Sequence, residues 1–478
     1  MIFVSFLCCL LVFVIIGILS TCQHKDTTKD YLLAGQTVKP WLAALSAVAT
    51  YNSGFMFVGQ IGYTYLHGLS SIWLMVGWIL GDWLASTVVH KRLRETTEQR
   101  SALTFTHALS NWHGTGKPNR HRLFEIVGGM ITIIFLGGYA AAQLNAGGKA
   151  LHVLFGWDIW VGAVAGSVIV LLYCFAGGIR ASIWTDAAQS IVMMGSMGLL
   201  CFTAIQTIGG MGPFWLALHQ VSTTYMAWFP TNLPMDAWPG FGLGTLAFVA
   251  GWFMAGIGVI GQPHVMVRFM ALDNPVHMTR TRVYYYAWYT GFFALTILTG
   301  LAARILIPVT SGFDAELALP TLSQQLLPDV LIGLILAGLF AATMSTADSQ
   351  IITCSASLTE DIKCFKHKTY LINKMATVMV TVIALLIALA GDKSVFQLVA
   401  VSAGSLTAAF APIILLLAFG RHLSHRLMLA MMAGGVATLI AWHYAGWGKY
   451  VYEVMPGIMA GLLVYGLWQL WVMKPKQV

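Results

Sequence analysis

Residues 41–66 read WLAALSAVATYNSGFMFVGQIGYTYL, an apolar run long enough to cross a lipid bilayer. Its centre, Ala49-Thr50-Tyr51-Asn52-Ser53-Gly54, is made of small and polar residues. Such a break leaves backbone N–H and C=O groups without helical partners, which a bilayer tolerates only beside protein or a water-filled cavity. The run therefore predicts a membrane-spanning helix that is broken at mid-membrane depth.

A second broken span is predicted further along the chain. It contains Gly256 and Gly258 and ends in Gly261-Gln262-Pro263-His264. The two breaks lie five spans apart, which fits a five-plus-five inverted repeat over about 41–208 and 240–419 within one transmembrane domain, 1–478. Paired broken helices indicate the binding site of a transporter, although ordinary glycine packing between helices would explain either break alone.

The composition agrees with a polytopic all-α membrane protein. Of the 478 residues, 58% are hydrophobic and 9% are charged, whereas a soluble domain carries about 25% charged residues. Apolar runs predict thirteen spans, of which the first is a retained helix and not a signal peptide. The predicted spans are Phe3–Ser20, Trp41–Leu66, Ser71–Val89, Phe124–Gly148, Ile159–Phe175, Ile183–Ile208, Phe241–Gly261, Val283–Ile307, Val330–Ser357, Met375–Ala390, Val395–Phe419, Leu427–Ala445 and Val454–Met473.

Positive charges are divided unevenly between the predicted loops. Lys and Arg concentrate in alternate loops, which include Arg180 and Arg268. The other loops hold only Lys149, Arg304, Lys393 and Lys449. The positive-inside rule therefore predicts a bacterial inner-membrane protein with a periplasmic N-terminus and a cytoplasmic C-terminus. Because these loops account for the net charge of +8, we expect no nucleic-acid partner.

Buried polar groups in the ninth predicted span indicate a cation site. Ser345, Asp348 and Ser349 share one helix face, being three and four residues apart. The Ala342 carbonyl lies one turn before, beside the hydroxyls of Ser345 and Thr346. Sodium prefers several oxygen ligands, which these groups supply, although membrane Ser and Thr also bond back to their own helix.

Three carboxylates are predicted to lie within the membrane. Asp82 is close to the interface, so a structural role is expected. Asp186 and Asp348 lie at similar depth on different helices, and two unpaired carboxylates there would be costly. The pair predicts a second sodium ion or a shared proton. The alternative is that Asp186 caps its helix and Asp348 bonds to a neighbouring hydroxyl.

Residues 338–362, GLFAATMSTADSQIITCSASLTEDI, resemble the core helix of the sodium/solute symporter family, and of its members the bacterial sodium/proline symporters are the nearest in motifs. Segments 46–54, 184–189 and 261–270 agree with this resemblance. It implies a leucine-transporter-type fold with one extra N-terminal and two extra C-terminal helices. It also implies that Na⁺ is the coupling ion.

The resemblance implies specific binding residues. The first sodium site would use Ala49, Asn52, Ala342, Ser345 and Thr346, and a second would use Asp186, Ser345, Asp348 and Ser349. The expected solute-binding residues are Ser53, Gly54, Phe55, Gln143, Ala255, Val259 and Gln262.

The chain departs from the proline symporters at the expected solute pocket. Tyr51 replaces their aspartate in the first break, and Phe55 replaces the tryptophan that follows it. In the second broken helix, Ala255 and Val259 replace a tryptophan and a tyrosine. The sodium ligands are kept while the pocket is changed, so the sequence does not favour proline as the solute.

Sodium-coupled import of a small amino-acid-like or carboxylate solute, by a monomer in the lipid bilayer, is the predicted function. No Lys or Arg is predicted deep in the core bundle, so a solute carboxylate would face a broken-helix N-terminus. The alternative is a membrane sensor that acts with a histidine kinase, which would be a separate chain because the sequence stops at Val478. An enzyme is not expected, because metalloprotease, phosphate-loop and nucleophile-elbow motifs are missing.

Overall fold

The computed structural model describes residues 1–23, 25–114, 122–231, 233, 242–308, 313–364, 370–390 and 395–473. These residues form an all-α protein, as predicted, and the only β-bridge among them joins Val38 to Leu272. The helices are α1 (Ile2–Ser20), α2 (Thr28–Leu33), α3 (Pro40–Tyr51), α4 (Gly54–Phe57), α5 (Gly59–His67), α6 (Ile72–Gln99), α7 (Phe105–Ser110), α8 (Arg122–Phe155), α9 (Ile159–Ile208), α10 (Met211–Val221), α11 (Leu243–Ile257), α12 (Pro263–Met270), α13 (Met278–Leu306), α14 (Ala318–Leu326), α15 (Asp329–Ala356), α16 (Tyr370–Ala390), α17 (Val395–Ala418), α18 (His425–Tyr444) and α19 (Val454–Met473).

The first predicted break is present. α3 ends at Tyr51, and α4 begins at Gly54. Asn52 (φ −80°, ψ 71°) and Ser53 (φ −65°, ψ −176°) between them are not helical. The Ser53 hydroxyl caps α4 by accepting a hydrogen bond from the Phe55 N–H at 3.2 Å. The last carbonyls of α3 consequently face neighbouring helices instead of a continuing helix.

The second predicted break is also present, but the chain beyond it differs from the prediction. α11 is followed by a 3₁₀ turn, Gly258–Gly261, and α12 begins at Pro263. Proline fits the first helical position and favours the extended conformation of Gln262 before it (φ −96°, ψ 101°). Every residue of α12 is buried. The prediction that Arg268 lies in a cytoplasmic loop was therefore wrong.

The helices do not correspond one to one with the predicted membrane spans. Eleven helices among the described residues are long and apolar enough to cross a membrane, compared with thirteen predicted spans. Two of the eleven, Gly54–Gln99 and Ile159–Ile208, have 46 and 50 residues, whereas one crossing needs about 20. The longer of these, α9, holds two predicted spans and bends at Gly178. The count of thirteen stays a prediction.

α15 is the central helix of the molecule. It packs against α1, α3, α8 and α9. Over its most apolar stretch 83% of residues are buried, against 22% for α1 and α19. Every residue from Ile335 to Ala356 is buried, including a dense group of Ser, Thr, Asp and Gln. These polar side chains must find their partners inside the protein.

The bend in α9 gives α2 a buried position. Gly178 adopts φ 55° and ψ −141°. Beyond the bend, Arg180 Nη2 donates to Asp30 Oδ1 at 2.5 Å and to the Ala34 carbonyl at 2.8 Å. Arg180 was predicted to lie in an exposed loop, which is wrong, because its side chain is 9% exposed and lies within α9. The ion pair instead holds α2 against α9.

We expect Gly178→Ala to destabilise the protein. A Cβ there would lie 2.5 Å from the Tyr31 carbonyl oxygen, and this backbone conformation costs an L-residue about 1–3 kcal/mol. The purified variant should therefore melt at a lower temperature in detergent. The matched control is Gly195→Ala in the same helix, where a Cβ would have no neighbour within 4 Å. Equal melting temperatures for the two variants would contradict the role of the bend.

Candidate functional site

Oxygen atoms of α3 and α15 converge where α3 ends. The Ser345 hydroxyl lies 2.9 Å from the Ala49 carbonyl oxygen and 3.2 Å from that of Ala342. The Thr346 hydroxyl lies 2.9 Å from the Thr50 carbonyl oxygen and 3.0 Å from that of Ala342. All five residues are fully buried. The structure thus brings four of the five predicted first-site residues together and adds the Thr50 carbonyl.

This group of oxygens fits a sodium ion. Two hydroxyl protons face three carbonyl oxygens, so acceptors outnumber donors. The carboxyl end of α3 also carries a partial negative charge. Hard cations take oxygen ligands of this kind, and helix ends in transporters provide them. Asn52, the fifth predicted ligand, lies at the break and is 1% exposed, but the two hydroxyls do not bond to it.

Asp186 and Asp348 lie in a second polar group, next to the first. Asp186 Oδ2 accepts from the Ser46 hydroxyl at 2.7 Å. Asp348 accepts from the hydroxyls of Tyr173 at 2.8 Å and Ser182 at 3.0 Å. Both carboxylates are completely buried. The structure therefore brings the two predicted carboxylates to one place, where each is held by hydroxyl donors.

The cation between these carboxylates is Arg268, which was predicted to lie in a loop. Arg268 Nη2 lies 3.3 Å from Asp186 Oδ2 and 3.9 Å from Asp348 Oδ1. Its side chain is fully buried. The prediction that no Lys or Arg lies deep in the core was wrong. A sequence signal existed, because Arg268 follows the Pro263 break within the apolar run VMVRFM.

A cavity of about 470 Å³ lies beside the two breaks. Four predicted solute-binding residues line it: Ser53, Phe55, Ala255 and Gln262. The three others do not. Gly54 lines a neighbouring cavity of about 260 Å³, and Val259 is buried in the 3₁₀ turn. Gln143 is fully buried and accepts from the Gly54 N–H at 3.1 Å, so it supports the start of α4.

Seven of the described residues that line this cavity are Phe, Trp or Tyr. The rings of Tyr51 and Trp78 lie 5.8 Å apart, those of Trp78 and Trp252 lie 5.3 Å apart, and Trp252 stacks on Tyr452 at 4.7 Å. Trp78, Trp252 and Tyr452 were not predicted, since isolated aromatic residues in apolar spans carry no pattern that separates a cavity wall from ordinary packing.

Several buried polar atoms on the cavity wall have no partner within the described part of the chain. They are Asn52 Nδ2, Gln262 Oε1, His264 Nδ1 and the Trp78 indole nitrogen. The Gln262 amide nitrogen is already used, since it donates to the Ala403 carbonyl at 2.8 Å and to Thr407 Oγ1 at 2.7 Å. Since buried polar groups are normally satisfied, these atoms are available to a bound molecule.

Charged residues lie at one end of the cavity only. Of the described residues that line it, Lys449 and Glu453 are the only Lys, Arg, Asp or Glu, and both lie by the α18–α19 connection. His443 Nδ1 lies 3.2 Å from Glu453 Oε2. This cavity is called the chamber below. Its wall beside the breaks is uncharged, polar at a few atoms and otherwise apolar.

Known proteins match this chain over most of its length. The model of the sodium:solute symporter family matches residues 31–435. The chain belongs to this family. Sodium/proline symporters of Staphylococcus aureus strains RF122 and JH9 are 28% identical over 476 residues, which covers 95% of this chain and 89% of theirs.

Solved structures show the same fold. A sodium-coupled sialic acid symporter in a substrate-bound outward-open state superimposes with a TM-score of 0.78 at 18% identity, covering 98% of both chains. The nucleobase-cation-symport-1 family transporter Mhp1 gives 0.56 at 14% identity, covering 93% of this chain and 94% of its own. MhsT in complex with L-phenylalanine gives 0.51 at 14% identity, covering 90% and 98%.

These matches confirm the family and the leucine-transporter-type fold. The protein is a sodium-coupled symporter of a small solute, with many apolar helices in the membrane, and it is not an enzyme. The repeat boundaries at 41–208 and 240–419 and the roles of individual site residues stay predictions.

A larger side chain on the cavity wall should block solute binding without affecting sodium binding. Ala255 is 6% exposed and lines the chamber, so Ala255→Trp should abolish sodium-driven uptake or change the preferred solute. Radioactive sodium binding should persist, because the hydroxyls of Ser345 and Thr346 bond to the carbonyls of Ala49, Thr50 and Ala342 and not to Ala255. The control is Leu246→Trp in the same helix, at a position that is 55% exposed. Unaltered solute affinity and preference in Ala255→Trp would place the pocket elsewhere.

Proposed function

We propose that this protein uses one sodium site at the end of α3 to drive import of a small, net-uncharged organic solute that binds in the aromatic chamber. The observation that carries the proposal is that one helix break serves both ligands. Ala49 and Thr50 offer carbonyls to Ser345 and Thr346, while Tyr51, Asn52 and Ser53 line the chamber.

This shared break supports coupling between ion and solute. A sodium ion held by Ala49, Thr50, Ala342, Ser345 and Thr346 would fix the end of α3 against α15. The three residues that follow Thr50 would then be ordered in the chamber wall, which lowers the entropic cost of binding the solute. Each tenfold sodium gradient contributes about 1.4 kcal/mol per ion to solute accumulation.

The chamber supports a particular class of solute. Its volume of about 470 Å³ suits a small organic molecule, and aromatic walls suit an apolar or planar body. The unpartnered atoms of Asn52, Gln262 and His264 provide hydrogen bonds. With no charged side chain on the cavity wall at the breaks, an amino-acid-like zwitterion or a neutral polar molecule fits better than an anion. The relatives are named for proline and sialic acid, but the altered residues Tyr51, Phe55 and Ala255 favour a different solute.

We further propose an inner-membrane monomer with a periplasmic N-terminus and a cytoplasmic C-terminus. Exposed cations such as Lys91, Arg92 and Arg100 gather at the far end of α6, whereas the opposite side carries few. Removing Arg180 and Arg268 from the count leaves this bias in place. The charged end of the chamber lies by the α18–α19 connection, on the proposed periplasmic side, which supports an outward-facing chamber.

Uptake into proteoliposomes tests the function. Labelled amino acids, monocarboxylates and sugars are offered with and without an inward sodium gradient. The proposal expects concentrative uptake of a net-uncharged solute only when the gradient is present. Solute binding without accumulation under any gradient would contradict it and would favour the sensor alternative.

Replacing both Ser345 and Thr346 by Ala should weaken the affinity for sodium. The loss of two cation ligands should raise the sodium concentration for half-maximal uptake at least about tenfold, since more than 1.4 kcal/mol is lost. The control is Thr353→Ala, on the same helix, whose hydroxyl bonds back to the Ser349 carbonyl at 2.7 Å. An unchanged sodium dependence in the double variant would remove the assignment.

A further inference from the structure

Arg268 occupies the middle of the buried carboxylate group. Its Nη2 donates to Ser182 Oγ at 2.6 Å and to Ser349 Oγ. The same nitrogen faces Asp186 Oδ2 at 3.3 Å and Asp348 Oδ1 at 3.9 Å. One nitrogen therefore has four oxygens around it, from two helices, α9 and α15. The remaining guanidinium nitrogens bond to Ser46 Oγ at 3.2 Å and to the His264 carbonyl at 3.2 Å.

The oxygens around Nη2 are those that a second sodium ion would need. Asp186, Asp348 and Ser349 are three of the residues predicted for that site, and Ser182 adds a fourth oxygen. Protein ligands approach hard cations to roughly 2.3–2.6 Å. An ion at that distance from these oxygens would overlap the guanidinium, so the arginine and a sodium ion exclude each other.

We propose that Arg268 is a built-in cation that takes the place of a second sodium ion between Asp186 and Asp348. The chain then carries one sodium ion per solute. This inference rests on the proposed function, because it assumes that sodium binds at Ser345 and Thr346.

The charges of the group fit this role. Two buried carboxylates without a cation would be costly, and a guanidinium supplies a positive charge that is not lost at any physiological pH. A sodium ion would supply the same charge only while bound. Arg268 compensates one of the two negative charges at every sodium concentration, and the hydroxyls of Ser46, Tyr173 and Ser182 donate to the carboxylates.

Hydrogen bonds connect Arg268 to the residues of the proposed first sodium site. Thr50 accepts from Thr346 through its carbonyl, and its hydroxyl lies 2.8 Å from Ser349 Oγ and 3.3 Å from Asp186 Oδ2. Ser349 in turn lies 2.6 Å from the Ser345 carbonyl oxygen. Arg268 is thus one residue away from the sodium ligands on both α3 and α15.

Counting bound sodium tests the proposal without knowledge of the solute. Radioactive sodium is titrated onto the purified full-length protein in a scintillation proximity assay. The wild type should bind one ion per chain, and Ser345→Ala with Thr346→Ala should lose it. Arg268→Met should bind two, because the vacated carboxylates accept an ion. Adding Asp348→Asn to Arg268→Met should return the count to one.

A matched control is Arg94→Met. Arg94 is also buried, at 2% exposed, but it bonds to the Leu272 carbonyl at 2.6 Å and to Glu98. Its loss should leave the count at one, so a general effect of removing a buried arginine is separated from an effect at the carboxylates.

Several results would overturn the proposal. A wild-type count of two that falls to one in Asp348→Asn would mean that sodium binds beside Arg268. This test does not require that an arginine variant folds. One bound sodium ion per chain in a folded Arg268→Met variant would show that the arginine does not occupy a potential sodium site. Both outcomes leave sodium-coupled transport intact, whereas a wild type that binds no sodium would overturn the proposed function together with this inference.

Discussion

The end of α3 imposes the constraint on which the site depends. A helix that stops in the middle of a membrane leaves carbonyl oxygens that water cannot reach. Here those of Ala49 and Thr50 face hydroxyls from α15 at 2.9 Å. The break is stable only because α15 is central and buried along its length, so that Ser345 and Thr346 stand beside it. The atoms that meet this structural requirement are therefore the ones that we propose bind sodium.

The buried charges follow from this arrangement. Asp186 and Asp348 would be unfavourable in a low-dielectric interior without compensation, and a single missing partner would leave an uncompensated charge. Hydroxyls from Ser46, Tyr173 and Ser182 and the guanidinium of Arg268 contact them, while Asp186 Oδ1 has no partner among the described residues. Because Arg268 belongs to α12, the short helix after the second break, this ion pairing also joins the two broken helices to the packed helices α9 and α15.

The sequence predicted the parts of this structure that depend on local pattern. Small and polar residues at mid-span located both breaks, and the spacing of Ser345, Asp348 and Ser349 placed them on one face. Arg268 was misplaced for a physical reason. Counting positive charges assumes that Arg between apolar runs lies in water, and this fails when a proline starts a buried half-helix. The roles of Gly54, Gln143 and Val259 depend on how helices pack, which periodicity does not encode.

The chamber and the ion site differ in how sharply their residues are constrained. The proposed ion site needs oxygens within a narrow range of distances, so it depends on the backbone positions of Ala49 and Thr50 and on the side chain of Thr346. The chamber needs only volume, apolar contact and a few hydrogen-bonding atoms, so Phe55 or Ala255 can change without disturbing α15. Because the two share only the break at Tyr51-Asn52-Ser53, the solute can be changed by substitutions on the chamber side while the coupling ion is kept. That division accounts for a chain that resembles proline symporters at its proposed sodium ligands and departs from them in its proposed solute chamber.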